Sequence, residues 1–450
     1  MAMHARSHLV AVDMGYGHER AAYALRDLSG GAITIANNYD GIPEHDRTIW
    51  QQGRTYYETI SRMQPLPVIG KAIFETFVDQ FQEIDPFYPR RDLSRPSLQL
   101  RQIWYSVTKQ GIGRHLVEQL RKVHSDNPPP FVTTFFLPAF AAEYYDYPGD
   151  IYVVACDADV ARVWAPLNPK KSRIKYFAPN GRVLERLRLY GVRREQIYLT
   201  GFPLPKELIG GPRAEIVKHD LGTRLAVLDP NKYLRSRYHA TFGRHFGRHF
   251  HDGAVRPPTI TFAVGGAGAQ KRLAVDLAKS IRGRLRRDEL RLQLVAGTRR
   301  DVLRYFTQQL RAIGLGDAIG KSVQILFAAN RPEYFSAFSR AMRETDILWT
   351  KPSELSFYTG LGIPIIMAEP IGSQEYFNRE WLRQVGGGVD QLDPRYADEW
   401  LWDWIQSGAL ARMAWSGYIE APTHGTYRIE SIIRGKPIAE AELETLPLVV

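Results

Sequence analysis

The chain has 450 residues, 44% of them hydrophobic and 24% charged, with 59 Lys plus Arg against 48 Asp plus Glu and a net charge of +11. These are the proportions of an ordinary soluble globular chain, long enough for two or three domains, and no apolar stretch reaches the about 18 residues of a membrane span. One cysteine, Cys156, excludes an internal disulfide framework and a cysteine-built zinc cage, and it fits a reducing cytoplasm.

The opening "MAMHARSH" and the short "LVAV" after it lack the apolar core of a signal peptide, so the cytoplasm is the expected location. From there the first half alternates. "HLVAV" and "AITIA" read as strands with a helix over Glu19 to Leu28 between them, and "PPFVTTFF", "DIYVVAC", "SRIKYFA" and "QIYLTG" follow as further strands. A helical section over about 48–123, broken at "QPLP" and "PFYPRRDLSRP", is expected to be inserted in this sheet domain or to cap it. Strands alternating with helices predict a doubly wound parallel sheet.

The alternation then pauses. Residues 211–257 are basic, irregular and punctuated by Pro and Gly, as an inter-domain connection would be. It resumes with "TITFAVGGAG", "LRLQLVAG", "VQILFAA", "DILWT" and "IPIIMAE", each followed by helix, before the C-terminal helices around "DPRYADEWLWDWIQSGAL". The expected organisation is an N-terminal domain over 1–210, the basic linker over 211–257, a second α/β domain over 258–390, and helices over 391–450 that pack back on the N-terminal domain. Two doubly wound domains in tandem bring the loops at their strand ends to a shared cleft.

Those loops carry the chemistry. In "DMGYGHERAAYAL", Gly15 and Gly17 leave the first strand and His18 opens a helix; His18 either caps that helix or faces the cleft. In "AVGGAGAQK", Gly265, Gly266 and Gly268 let backbone N–H groups converge on an anion at a helix N-terminus, or they serve only tight helix–sheet packing. Thr350 and Lys351 close a strand, and Ser353 and Glu354 open a helix. In "GSQEYFN", Gln374, Glu375 and Asn378 share a helix face, a density of amides and carboxylates that suits a polyhydroxylated ligand better than capping does.

"GYGHERAAYAL", "YLTGFPLP", "VGGAGAQ", "TK…E…GIPII" and "GSQEYFN" together resemble the successive motifs of glycosyltransferases with the two-domain GT-B architecture. The branch they are most similar to is that of monogalactosyldiacylglycerol synthase and the lipid II-forming N-acetylglucosaminyltransferase. The resemblance runs in order from about Leu9 to Gly388, is weak across the helical section and is absent from Lys206 to Pro258. It implies a C-terminal domain holding a UDP-sugar and an N-terminal domain holding the acceptor. By the same resemblance Gly265, Gly266, Gly268 and Gln270 cradle the pyrophosphate, and Phe327 lies at the base. Gln374 and Glu375 face the sugar hydroxyls with Asn378 nearby. Gly15, Gly17 and His18 form the acceptor-side loop, and Asp157 sits where the family has an aspartate after a strand, with Trp164 beyond it. The family's "KAGPGT" after the Thr-Lys pair is "KPSELS" here, and its ribose-binding glutamate falls on Phe357, leaving Glu354 as the nearest substitute.

The expected activity is transfer of a hexose from a nucleotide-diphosphate sugar, UDP-linked, to a hydroxyl acceptor such as a lipid. His18 or Asp157 would act as base, and Lys351, with Arg299 or Arg300 in reserve, would meet the leaving-group charge. No metal or cofactor beyond the nucleotide-sugar is expected. The alternatives are a nucleotide-sugar epimerase or hydrolase, or a non-catalytic protein whose basic surface binds nucleic acid or membrane; nucleic acid is not expected, because the basic residues form no known module. His245, His249 and His251 read as part of a basic-aromatic loop in preference to metal ligands. That loop's Phe242, Phe246 and Phe250 suit either peripheral contact with an anionic bilayer or inward packing.

Overall fold

The computed structural model describes residues 7–436 apart from 53–83, 123–127, 251–252, 254–255, 264–269 and 371. The first sheet is built from β1 (His8–Ala11), β2 (Thr34–Ile35), β3 (Phe131–Thr133), β4 (Ile151–Val154), β5 (Lys175–Ala178) and β6 (Ile197–Leu199). They lie in the order β2-β1-β3-β4-β5-β6, all parallel, with Leu9 opposite Val132 and Val132 opposite Tyr152. Every residue of β3 and β4 is buried, as in a sheet covered by helices on both faces, so these strands read as unbroken apolar runs.

The second sheet is made of β7 (Thr259–Ala263), β8 (Arg291–Gly297), β9 (Val323–Phe327), β10 (Ile347–Thr350), β11 (Ile365–Met367) and β12 (Gly388–Asp390). Its order is β12-β11-β10-β7-β8-β9, again all parallel. Two doubly wound α/β domains in tandem are therefore present. β12 has no counterpart in the sequence reading. Its three half-buried residues stand in the glycine-rich "VGGGVDQ", too short for any period, and only pairing with β11 makes them a strand.

Of the helical section in the first half, Leu98–Thr108 and Arg114–Lys122 are described helices, while residues 53–83 lie outside the described residues. Ser97 caps the former through its side chain, which accepts from Leu100 N–H at 3.2 Å, and Leu100 and Val107 seat it on the sheet core. The helix expected over Glu19–Leu28 begins earlier, at Tyr16, and runs to Ala24 before a 3-10 turn at Arg26–Leu28. Its start moves into the glycine loop because Gly15, at φ 108°, turns the chain sharply out of β1.

The segment expected over 211–257 as an irregular linker carries the helices Glu215–Val227, Tyr233–Arg237 and His239–Phe246, preceded by the short helix Lys206–Ile209. It is docked on the second domain. Arg224 is 1% exposed and donates to the carbonyls of Thr345, Leu361 and Gly362. Phe242 and Phe246 are buried against Trp415, the ring centroids 4.9 and 5.8 Å apart. Phe250 packs, partly buried, on the same core. Phe242 and Phe246 thus point inward, and apolar area is gained by burying them against the Ala409–Glu420 helix. Among the described residues no helix is long and apolar enough to cross a membrane.

The chain passes between the domains a second time near Pro422, which packs on Gly201. The last described helix, Gly425–Ile433, lies on the first domain: Ile429 joins Leu9, Ala11, Leu25, Val154 and Phe177, and Thr426 donates to Leu204 O.

Candidate active site

The strand order reverses between β1 and β3 in the first sheet and between β7 and β10 in the second. Open parallel sheets bind ligands in the crevice outside the strand C-termini at such a reversal. After β1 come Gly15 and, in the first turn of the helix Tyr16–Ala24, Gly17 and His18; after β3 come Thr134 and Phe135, and after β10 Lys351 to Glu354. The loop after β7, with Gly265, Gly266 and Gly268, lies outside the described residues.

His18 donates from Nδ1 to Thr134 O at 2.7 Å, because a carbonyl can only accept. Its neutral ring therefore keeps the lone pair on Nε2. Phe135 stands edge-on at 5.0 Å between centroids, with the buried Trp164 ring at 6.2 Å. Burial in this aromatic setting drives the His18 pKa down to about 4, against the opposing pull of the Thr134 carbonyl and of Glu354. Asp157, three residues past β4, moves the other way. Burial pushes its carboxyl up to about 6, Glu354 and Glu375 add to the rise, and the Asn378 hydrogen bond opposes it. Cys156 is a buried neighbour whose thiol faces the Thr134 and Val154 carbonyls, and burial raises its pKa.

From the second domain, Lys351 and Glu375 form an ion pair, each side chain mostly buried. Glu354 opens the 3-10 turn Glu354–Leu361 and is held by Arg20 of the first domain. It lies so close under the glycine loop that a Cβ at Gly17 would come within 2.9 Å of its Oε2. Glycine at 17 thus permits the two domains to meet here. Asn378, on the helix Ser373–Gln384, is fully buried. It donates to Asp157 Oδ1 at 2.9 Å and accepts from Ala158 N–H at 2.6 Å. Its amide joins the domains instead of facing the cleft beside Glu375, because the helix turns position 378 toward the end of β4. Gln374 stands half-buried one turn earlier.

Other expected residues stand apart from this cluster. Gln270 is half-buried and donates to Glu369 O at 3.3 Å. Phe327 ends β9 half-buried. Arg299 pairs with its neighbour Asp301, and Arg300 is exposed. His245 meets Tyr418 OH at 2.9 Å while His249 faces Glu215, so these two histidines have separate partners; His251 lies outside the described residues. Among the described residues no group of three or more His, Cys, Asp or Glu is placed to hold a metal ion.

Sequence reasoning missed the ionic clasp across the cleft. Arg20, 3% exposed, pairs with Glu354, donates to Tyr334 OH at 3.0 Å and lies 4.5 Å from the Phe338 ring centroid. Arg331 of the second domain pairs with Glu19 and, at 2.7 Å, with Asp13 of the first. Tyr16 OH accepts from Thr298 N–H at 3.1 Å. Nothing in "GHERAA" separates Arg20 from a solvated helical arginine, since its partners lie more than 300 positions away.

No family model matches the chain, and no curated protein matches it. Among solved structures it is similar to Acinetobacter baumannii MurG, 12% identical, covering 96% of this chain and 99% of that one at a TM-score of 0.45. It is also similar to the UDP-GlcNAc 2-epimerase from Neisseria meningitidis bound to UDP-GlcNAc, 14% identical over 84% and 95% of the two chains at a TM-score of 0.41. A glycosyltransferase from Rickettsia africae ESF-5 is 9% identical over 85% and 94% at a TM-score of 0.39.

Proposed function

We propose that the chain transfers a hexose from a nucleotide-diphosphate sugar, UDP-linked, to a hydroxyl acceptor of small-molecule or lipid class. The observation that carries this reading is the convergence of polar groups from both domains on one cleft. His18 and Asp157 come from the first domain, Lys351, Glu354 and Glu375 from the second, and they meet where both strand orders reverse.

The two titrating groups take different roles. Asp157, with its carboxyl pushed up to about 6, is ionised at neutral pH yet close enough to it to take a proton. It accepts the acceptor hydroxyl proton as that oxygen bonds to the anomeric carbon and the bond to the diphosphate breaks, releasing the nucleoside diphosphate. His18, driven down to about 4, is neutral throughout this range and acts through its Nε2 lone pair as a hydrogen-bond acceptor that orients a hydroxyl. Lys351 supplies positive charge for the departing diphosphate, and Glu375, which it holds, receives sugar hydroxyls.

Calorimetry with a panel of nucleotides and nucleotide-sugars tests this, on the wild type and on a Gln374→Ala, Glu375→Ala double variant. One nucleotide-sugar should bind saturably and weaken about tenfold or more in the variant, equivalent to losing a hydrogen bond to a charged group, with the bare nucleotide little changed. No binding by any member at millimolar concentration overturns the proposal. Conversion of the bound sugar without any acceptor assigns the cleft to an epimerase or hydrolase instead.

A further inference from the structure

Asp157 and Ala158 offer, side by side at the end of β4, a carboxylate that accepts and a backbone N–H that donates. The Asn378 carboxamide is the complement of that pair. Its oxygen takes the Ala158 N–H, one N–H goes to Asp157 Oδ1, and the amide nitrogen also faces its own domain's Pro352 carbonyl at 3.5 Å. A leucine has no polar atoms for this, an aspartate no donor, and a serine is too short to bridge both groups. The contact lies wholly between domains and is fully buried at Asn378. When the domains part, Asp157 loses the Asn378 hydrogen bond.

We infer that Asn378 is a positioning residue that ties the orientation of the Asp157 carboxylate to closure of the second domain over the first. One carboxylate oxygen is fixed by an amide from the other domain, so the aim of Asp157 depends on the contact between the domains. The catalytic meaning of this tie rests on the proposed role of Asp157; the tie itself does not. The charged and titratable groups that face Asp157 are Glu354, held by Arg20, Glu375, held by Lys351, and the neighbouring Cys156 thiol.

Three variants test it, read by amide hydrogen exchange over residues 155–160 and by small-angle scattering, with no need for turnover. Asn378→Asp sets two carboxylates against each other. At pH 8 it should speed exchange at Ala158 about 10- to 100-fold and enlarge the particle, and at pH 5, where one carboxyl is protonated, both changes should shrink. Asn378→Ser should speed exchange at both pH values. The exchanged pair, Asp157→Asn with Asn378→Asp, restores a donor facing an acceptor and leaves a carboxylate oxygen for the Ala158 N–H, so protection and compactness should return at pH 8. Wild-type protection at Ala158 in both single variants overturns the inference, as does failure of the exchanged pair to rescue a folded protein. If the clasp behaves as described while no nucleotide-sugar binds, only the functional reading falls.

Discussion

The helix start Asp13–Arg20 and the segment Tyr233–His249 are both crowded with charged, aromatic and histidine side chains, and the fold uses them in opposite ways. In the first, Asp13, Glu19 and Arg20 all reach partners in the other domain, and His18 is fixed by the Thr134 carbonyl at the strand-order reversal. In the second, Phe242 and Phe246 turn into the core, and His245 and His249 are tied to Tyr418 and Glu215. The difference is topological. The first stretch leaves the C-terminal end of a central parallel strand, where backbone groups and helix dipoles converge. The second packs as helices on the outer side of the second domain, where apolar rings serve burial.

The largest way to break that comparison is at Asp157. Asp157→Asn should lower kcat/KM by about 10² to 10⁴ as the base is lost, while a His245→Ala, His249→Ala double variant should change it less than about twofold. In the wild type kcat/KM should fall as pH drops through about 6, measured over pH 5–8. Equal losses in the two variants would place chemistry in the outer segment and undo the contrast.

Removing Phe242 is the converse experiment. Phe242→Ala should cost about 3–5 kcal/mol in denaturant unfolding, since its ring is fully buried, and leave affinity for anionic vesicles unchanged. A variant of wild-type stability that loses vesicle binding would instead make this segment a membrane face.

The smallest effect sharpens the picture of the cleft. The Asp157 pKa is raised by folding from 3.8 to about 6, so its stabilising contribution is complete below pH 3.8 and is lost as pH rises through about 6. Asp157→Asn keeps an acceptor for Asn378 and should therefore be more stable than wild type at pH 8, by at most about 3 kcal/mol less what solvent screens, and no more stable at pH 3.5. His18 has the opposite sign: its contribution is present above pH 6.5 and lost as pH falls through about 4.

Much of the architecture was legible because parallel strands buried on both faces announce themselves as apolar runs, as "DIYVVAC" and "TITFA" do. β12 was not, because three residues, Gly388, Val389 and Asp390, carry no period and pairing alone defines the strand. At the site, Gly17 and His18 stood out because glycine and histidine beside a strand end have few other reasons to occur together. Arg20 and Arg331 did not, because a buried arginine and a solvated one are the same letter, and only a partner from the other domain tells them apart.

The chain's own pattern was thus sufficient for two doubly wound sheets and for the loops that carry polar chemistry, since periodicity and glycine placement are local properties. Which of those groups meet was decided by tertiary structure alone. The pairings of Glu354 with Arg20, of Asn378 with Asp157 and of Lys351 with Glu375 set the charge and burial of the cleft. Burial raises the carboxyl of Asp157 toward neutrality, with Glu354 and Glu375 adding and Asn378 opposing, and burial lowers the imidazole of His18 away from it.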